Sequence, residues 1–369
     1  MVFNEDLEET IKMLADVSMA PAYTEGEIEE QRAMVQFEHM ELPDKPDVLI
    51  SELVHKAAYG GEHASTLGNA QVCSLEDAGN MNSDKLQRFW KTHTRPERVV
   101  VAAAGPQHEE IYKLAEQYFG DKLDHSREVD CGPVAREAPV YVGGAQILDM
   151  KDSPVKDAYG QQLAQLGFGF KGVPWSADAL YPIAVLQLLL GGGNSFSVGG
   201  PGKGMFARMY SKVMNYHHWI NSAVAMNLSY NDCGLFFIQG GCPPKRTNEL
   251  LGILVREIGS VADSVSQEEV SRARNQLKSS LLMNLESKSI TAEDIGRQVL
   301  GLGRRLSADE LISHIEMVSP DDITGITRQM MSSPPVLAGY GDMDHLKTSY
   351  EEVAEVFHRA SIHYNGSSN

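Results

Sequence analysis

The residues of this chain best suited to chemistry are a glycine-rich run, a helix carrying an inward glutamate, and twelve histidines. The histidines raise the question of a metal, yet neither H-E-x-x-H nor H-x-x-E-H, which place two imidazoles on one helix face, occurs in the sequence. The nearest fragments, His108-Glu-Glu-Ile-Tyr112 and His125-Ser-Arg-Glu-Val129, each lack the second histidine and read as solvated surface. His217 and His218 are adjacent, which on a strand turns them to opposite faces and prevents joint chelation. No G-x-S-x-G turn is present, and no cysteine has a legible histidine partner, so nucleophilic catalysis has no support.

The run Gly191, Gly192, Gly193, Asn194, Ser195, Phe196, Ser197, Val198, Gly199, Gly200, Pro201, Gly202, Lys203 and Gly204 holds seven glycines in fourteen residues. It fits neither the phosphate loop, which needs a Ser or Thr after its lysine, nor the G-x-G-x-x-G dinucleotide spacing. Gly191 can cap the apolar helix that starts near Ser176, but capping does not account for the rest. A run so poor in branched side chains is costly to order and contacts a ligand chiefly through its backbone, with Phe196 and Lys203 its only distinctive side chains.

In the helix from Thr24 to Leu42, Ile28, Val35 and Leu42 are heptad-spaced, and Gln31 and Glu38 are expected on the same inward face. A carboxylate beside an apolar stripe requires a partner, so Glu38 is expected to have one or to lie at a half-exposed edge.

The elements that position these residues form a repeat. Thr24-Glu-Gly-Glu27 and Ser266-Gln-Glu-Glu269 are capping boxes that each open a long amphipathic run. Each is followed by a second helix start, at Asn82 or Ser319, by a β-type segment, Val99–Gly105 or Val336–Gly341, and by a further helix, near Glu109–Tyr118 or Leu346–Phe357. The capping boxes stand 242 residues apart and the strand-ending glycines 236, so one α/β unit occurs twice in register. Asp121–Pro139, polar and carrying Gly132-Pro133, reads as a linker. The expected division is 1–125 for a first, incomplete domain, 126–139 for the linker and 140–369 for a second domain containing the glycine run. If the copies are equal, roughly a hundred residues are missing ahead of the first.

Composition sets the remaining bounds. A chain of 369 residues that is 42% hydrophobic can fill a sizeable core, and its net charge of -18 repels polyanions and attracts cationic ligands, which disfavours nucleic acid as a partner. The four cysteines form no C-x-x-C pair. The most apolar run, Ala179 to Leu190, is interrupted by Pro182 and falls short of the ~18 residues of a membrane span. The acidic N-terminus differs from an Arg-rich targeting peptide.

Three segments together, Leu166-Gly-Phe-Gly-Phe-Lys-Gly-Val-Pro-Trp175, the glycine run continuing into Met205-Phe-Ala-Arg-Met-Tyr210, and Tyr230-Asn-Asp-Cys-Gly-Leu-Phe236, resemble the α subunits of the mitochondrial processing peptidase family, relatives of pitrilysin and insulin-degrading enzymes. The resemblance extends from about Met1 to His358, and its Gly-Gly-Pro-Gly-Lys-Gly-Met core marks α rather than β subunits. It implies an α+β fold of two homologous α/β-sandwich domains, each an antiparallel-rich sheet packed by helices. It also implies a heterodimer in which the β subunit holds zinc through H-x-x-E-H and a downstream glutamate, while the α subunit holds neither metal nor catalytic residues. Gln31 and Glu38 then fall where β subunits carry helper and ligand glutamates, and the glycine run Gly191–Gly204 becomes the presequence-engaging element. The implied substrates are Arg-rich presequences in the mitochondrial matrix. A core subunit of the respiratory cytochrome bc1 complex is the alternative.

Overall fold

The computed structural model describes residues 2–61, 66–94, 98–120, 138–194 and 205–366. Thirteen α-helices are described. The first six are α1 (Leu7–Met19), α2 (Glu25–Glu41), α3 (Pro46–Tyr59), α4 (Leu75–Asn80), α5 (Ser83–His93) and α6 (His108–Ala115). The others are α7 (Leu180–Leu190), α8 (Thr247–Asp263), α9 (Gln267–Leu285), α10 (Lys288–Leu302), α11 (Ala308–Met317), α12 (Pro320–Met331) and α13 (Tyr350–Gly366). Six strands are described: β1 (Gly144–Asp149), β2 (Ala164–Lys171), β3 (Gly192–Asn194), β4 (Ser222–Ser229), β5 (Gly234–Cys242) and β6 (Val336–Gly341).

The expected helix starts form through their side chains. Thr24 and Glu27 bond reciprocally, the Thr24 amide and hydroxyl each donating to the Glu27 carboxylate over 2.8 Å. The Ser266 amide likewise donates to Glu269 over 3.0 Å. Asn82 accepts from the Lys85 amide at 3.0 Å to cap α5, and Ser319 and Asp322 complete a third capping box at α12. Each such bond satisfies an amide that the helix itself leaves without a partner.

All six strands form one sheet, in the order β1-β6-β2-β5-β4-β3, with only β1 and β6 parallel. Its central strands β6, β2 and β5 are buried on both faces. On one face Leu166, Phe168, Phe170, Phe236 and Ile238 pack against α7, α8, α12 and α13, where Phe357 stacks on Phe168 at 5.4 Å. On the other, Leu235, Phe237, Val336, Ala338 and Tyr340 pack against Ile50, Val54, Ala57, Ala58 and Tyr59 of α3. Close approach of α3 depends on Gly167, where a Cβ would fall 2.8 Å from both Ile50 and Val54 methyls.

The described residues fall into two compact units, one drawn from 1–39, 72–136 and 281–307, the other from 40–71, 137–280 and 308–369. This partition does not follow the linear division at 125 and 139. The helix α3 belongs by sequence to the first repeat but packs in the unit that holds the sheet, whereas α10, from the second repeat, packs in the other unit. There its Gly296 lies against Ala102, a Cβ on the glycine standing 3.5 Å from the alanine methyl, and Lys288 lies beside Gly105. Pro46 and Lys288, the first residues of these helices, are 242 apart, the same spacing as the two capping boxes. The repeats have therefore exchanged equivalent helices, each covering the segment, 99–105 or β6, that the other repeat's order would assign to its counterpart.

In the smaller unit α1 buries Leu7, Ile11, Ala15 and Met19 against Phe119, an i, i+4 stripe of the expected width. The segment Val99–Gly105, expected as a strand, is not one: it has no ladder partner among the described residues, and Val101 is exposed. A β-type sequence needs a neighbouring strand to satisfy its backbone, and β-propensity alone does not provide one.

Candidate functional site

The glycine run begins on the sheet. Its described part is Gly191–Asn194; Ser195, Phe196, Ser197, Val198, Gly199, Gly200, Pro201, Gly202, Lys203 and Gly204 lie outside the described residues. Gly191 ends α7 at φ 56°, its amide donating to Gln187 O at 2.7 Å, which is the capping role expected of it. Its carbonyl then accepts from Ala225 at 2.9 Å, and β3 continues as a three-residue edge strand on β4.

Each glycine here is required by close packing. Gly192 adopts φ +109°, and a Cβ on it would lie 1.9 Å from Ala223 O; a Cβ on Gly193 would lie 2.4 Å from the Tyr210 hydroxyl oxygen. Gly192→Ala is accordingly expected to cost about 2 kcal/mol or more, read as a lowered urea midpoint at unchanged slope.

Downstream, the described residues resume at Met205 and include a π-helical turn, Met209–Met214. Arg208, only 4% exposed, anchors this end. Its guanidinium donates to both carboxylate oxygens of Glu269, at 2.8 and 3.1 Å, to Ser260 Oγ at 3.0 Å and to Ser264 O at 3.1 Å. Glu269 is the acidic member of the α9 capping box, and Lys212 stands 3.5 Å from it. Burial on its own would raise the Glu269 carboxyl, but the bonds from Arg208 and Ser266 dominate and bring it down to about 2. Glu257, half-buried nearby, is pushed up by desolvation despite the opposing charge of Arg208. The described residues on either side of 195–204 are thus an edge strand before it and, after it, a segment anchored by a buried arginine.

Beside the β3 root is a cleft of about 360 Å3 lined by Asp44, Asp47, Lys156, Gln165, Asn194, Asn221 and Ser222, among others. Gln239 extends from β5 and donates to Asp47. A second cleft of about 540 Å3 along α3 is lined by Asp47, Glu52, His55 and Tyr230. His55 donates from Nδ1 to Ser51 O at 2.6 Å and accepts the Tyr230 hydroxyl at Nε2 over 2.5 Å, and burial lowers its basicity. It is a neutral structural imidazole whose two nitrogens are both engaged.

Helix α2 differs from expectation. Gln31 and Glu38 are exposed and meet no hydrogen-bond or ion-pair partner among the described residues. They sit three positions after Ile28 and Val35, at one edge of the stripe, while the helix is rolled toward the other edge, four positions on. There Arg32 donates to Ala78 O at 3.2 Å and to Met81 O at 2.6 Å, and His39 Nε2 bonds Cys73 O at 2.6 Å. Backbone carbonyls awaiting donors decide the rotation. For zinc, Gln31 offers a neutral amide and Glu38 an isolated carboxylate, and among the described residues no three His, Cys, Asp or Glu side chains are gathered as a metal would require. The residues present do not fit the ion. His108 is exposed, and His217 packs edge-on against Trp219 in a turn rather than a strand. Burial pushes the Cys233 and Cys242 thiols up to about 11 and about 12, leaving them unreactive.

Residues 1–70 match the insulinase (peptidase family M16) domain, and residues 80–277 match the M16 inactive domain. The mitochondrial-processing peptidase α subunit of Bos taurus is 35% identical over 354 residues, covering 95% of this chain and 67% of the relative. That of Neurospora crassa is 33% identical over 404 residues, covering 92% and 69%, and that of Solanum tuberosum 36% over 349, covering 94% and 66%. The chain belongs to the M16 peptidase family. Among solved structures, a chain of complex III2 from Candida albicans, with Inz-5 bound, superposes with a TM-score of 0.77 at 16% identity, covering 96% of this chain and 81% of that one; this likeness bears on the fold.

Proposed function

We propose that this chain is the non-catalytic, substrate-recognition α subunit of the zinc endopeptidase that removes N-terminal presequences from proteins imported into mitochondria. Its partner is a β subunit that holds the zinc, and its place is the mitochondrial matrix. The supporting observation is its likeness to α subunits of several kingdoms over nearly its whole length, together with the matched inactive domain. Among the described residues no helix is long and apolar enough to cross a membrane.

In this reading the chain binds and the partner cuts. The net charge of -18 raises the local concentration of Arg-rich peptides, and the glycine run offers backbone donors and acceptors to the peptide. Deleting residues 195–204 tests it: presequence affinity is expected to fall while heterodimer assembly, followed by size-exclusion chromatography, persists. Unchanged cleavage kinetics would refute the role of the run.

The second reading, a core subunit of the respiratory cytochrome bc1 complex, is favoured by the fold match to complex III2. Recovery as a soluble heterodimer supports the first, and membrane-extracted association with cytochrome b the second.

A further inference from the structure

Four buried side-chain oxygens of the sheet-bearing unit, on Gln165, Asn227, Ser229 and Glu257, have no hydrogen-bond partner among the described residues, and the first of them borders the cleft at the β3 root. Gln165, on β2, is 3% exposed, and its Oε1 has no hydrogen-bond partner among the described residues. A buried carbonyl oxygen left unpaired is destabilising unless a donor enters from outside, and Gln165 lines the cleft of about 360 Å3 at the β3 root.

The surroundings specify the donor. Gln165 lies opposite Gly241 and Gln239 opposite Gly167, so the two amides are diagonal neighbours on one face of the sheet. The glycine at 241 leaves room for the Gln165 amide to lie on the sheet, since a Cβ there would stand 2.7 Å from its nitrogen. Gln239 donates to Asp47 Oδ1, orienting that carboxylate while Oδ2 retains its capacity to accept. Asp44 lines the same cleft, so two carboxylates and an orphaned carbonyl meet there. Lys156, an exposed residue at the rim, contributes one opposing charge, which solvent screens.

We propose that this cleft is a seat for the guanidinium of one arginine of a bound peptide, an inference that rests on the presequence-recognition reading and locates it. A guanidinium carries five donors in a fixed fork and no acceptor, which complements a set of acceptors spread over two carboxylates and an amide. An ammonium group has fewer donors and no fork, so lysine satisfies the set less completely. The seat adjoins Asn194, where β3 passes into the glycine run, so a side chain held there brings its backbone to that run.

The test measures fluorescence anisotropy of a labelled amphipathic peptide containing arginines, and of the same peptide with citrulline at those positions, on the chain with its partner subunit. The wild type is expected to prefer the arginine peptide by about tenfold or more. Asp44→Asn combined with Asp47→Asn, and separately Gln165→Met, are expected to remove most of that preference, and Lys156→Glu to enlarge it. Lys156 is exposed, so its variant reports on the seat even if a cleft variant unfolds; thermal melts establish which variants are folded. Arginine preference equal to wild type in folded cleft variants, or no gain with Lys156→Glu, overturns the seat. If deletion of 195–204 weakens binding while the cleft variants do not, the seat falls and the recognition function stands. If the wild type binds neither peptide, both fall.

Discussion

A polypeptide of residues 138–369 alone is expected to collapse into an aggregation-prone state without a cooperative melt. One that also carries residues 40–71, joined by a linker, is expected to unfold cooperatively. The reason is the exchanged helix. Removing residues 40–71, α3 with its flanks, uncovers Leu235, Phe237, Val336, Ala338 and Tyr340 on one face of the sheet, all at or below 2% exposure in the intact chain. It also takes away the acceptor of two bonds: the Val142 amide, which donates to Ala58 O at 2.8 Å, and the Tyr340 hydroxyl, which donates to Pro43 O at 2.9 Å. A sheet buried on both faces cannot leave one in water, because each large apolar side chain exposed costs about 1.5–3 kcal/mol against a typical whole-domain stability of about 5–15 kcal/mol. A cooperative calorimetric transition of the 138–369 fragment at the wild-type temperature would contradict the exchange.

Arg208→Met is expected to destabilise the chain by about 1.5–3 kcal/mol, the usual worth of hydrogen bonds to a charged group, since Glu269 loses the guanidinium but keeps the Ser266 amide and the Lys212 charge. Urea unfolding at neutral pH measures it. Glu269→Gln should cost at least as much at neutral pH, because it leaves the Arg208 guanidinium, the more buried of the two groups, without its counter-charge. The two variants also differ from wild type in acid. The folded Glu269 carboxyl is held at about 2, below its ordinary value of 4.5, so its contribution is full above 4.5 and is lost as pH falls toward 2. Glu257, shifted upward by burial, works in the opposite direction: its contribution is present at low pH and is lost as pH rises through its raised folded value. Wild type should therefore lose stability between pH 4.5 and 2 more steeply than Glu269→Gln. Parallel acid profiles of the two would place the pair outside the stabilising set.

Much of the local structure was legible because it depends on short-range chemistry. The boxes at Thr24, Ser266 and Ser319 were readable from side chains three residues apart, and the Gly191 cap from its place after an apolar helix. The matching order of helix starts in the two copies was readable too, whereas the strand expected at Val99–Gly105 did not form. What the sequence did not reveal depends on long-range choices. Nothing in α3 says which sheet its apolar face will meet, since its pattern suits either, and the 242-residue offset to α10 acquires meaning only once both helices are placed. The inward face of α2 was misjudged because positions three and four after an apolar residue flank the stripe equally. The carbonyls of Cys73, Ala78 and Met81, far along the chain, select between them. The Arg208–Glu269 pair gave a partial signal, since Glu269 was already marked as a capping residue, but its arginine is 61 positions away. The cleft beside β3 joins the neighbouring Asp44 and Asp47 with Gln165 and Asn194, from three separate segments, and no spacing rule connects these segments.

The central claim is that this polypeptide supplies binding and shape to a hydrolytic machine whose metal another chain holds. The most direct measurement is cleavage of a presequence peptide by this chain, by a zinc-loaded β subunit, and by the two mixed, with zinc content of each determined by atomic absorption. The account predicts negligible cutting and sub-stoichiometric zinc for this chain alone, and fast cutting only in the mixture. Vigorous cleavage by the isolated chain with one bound zinc would contradict it.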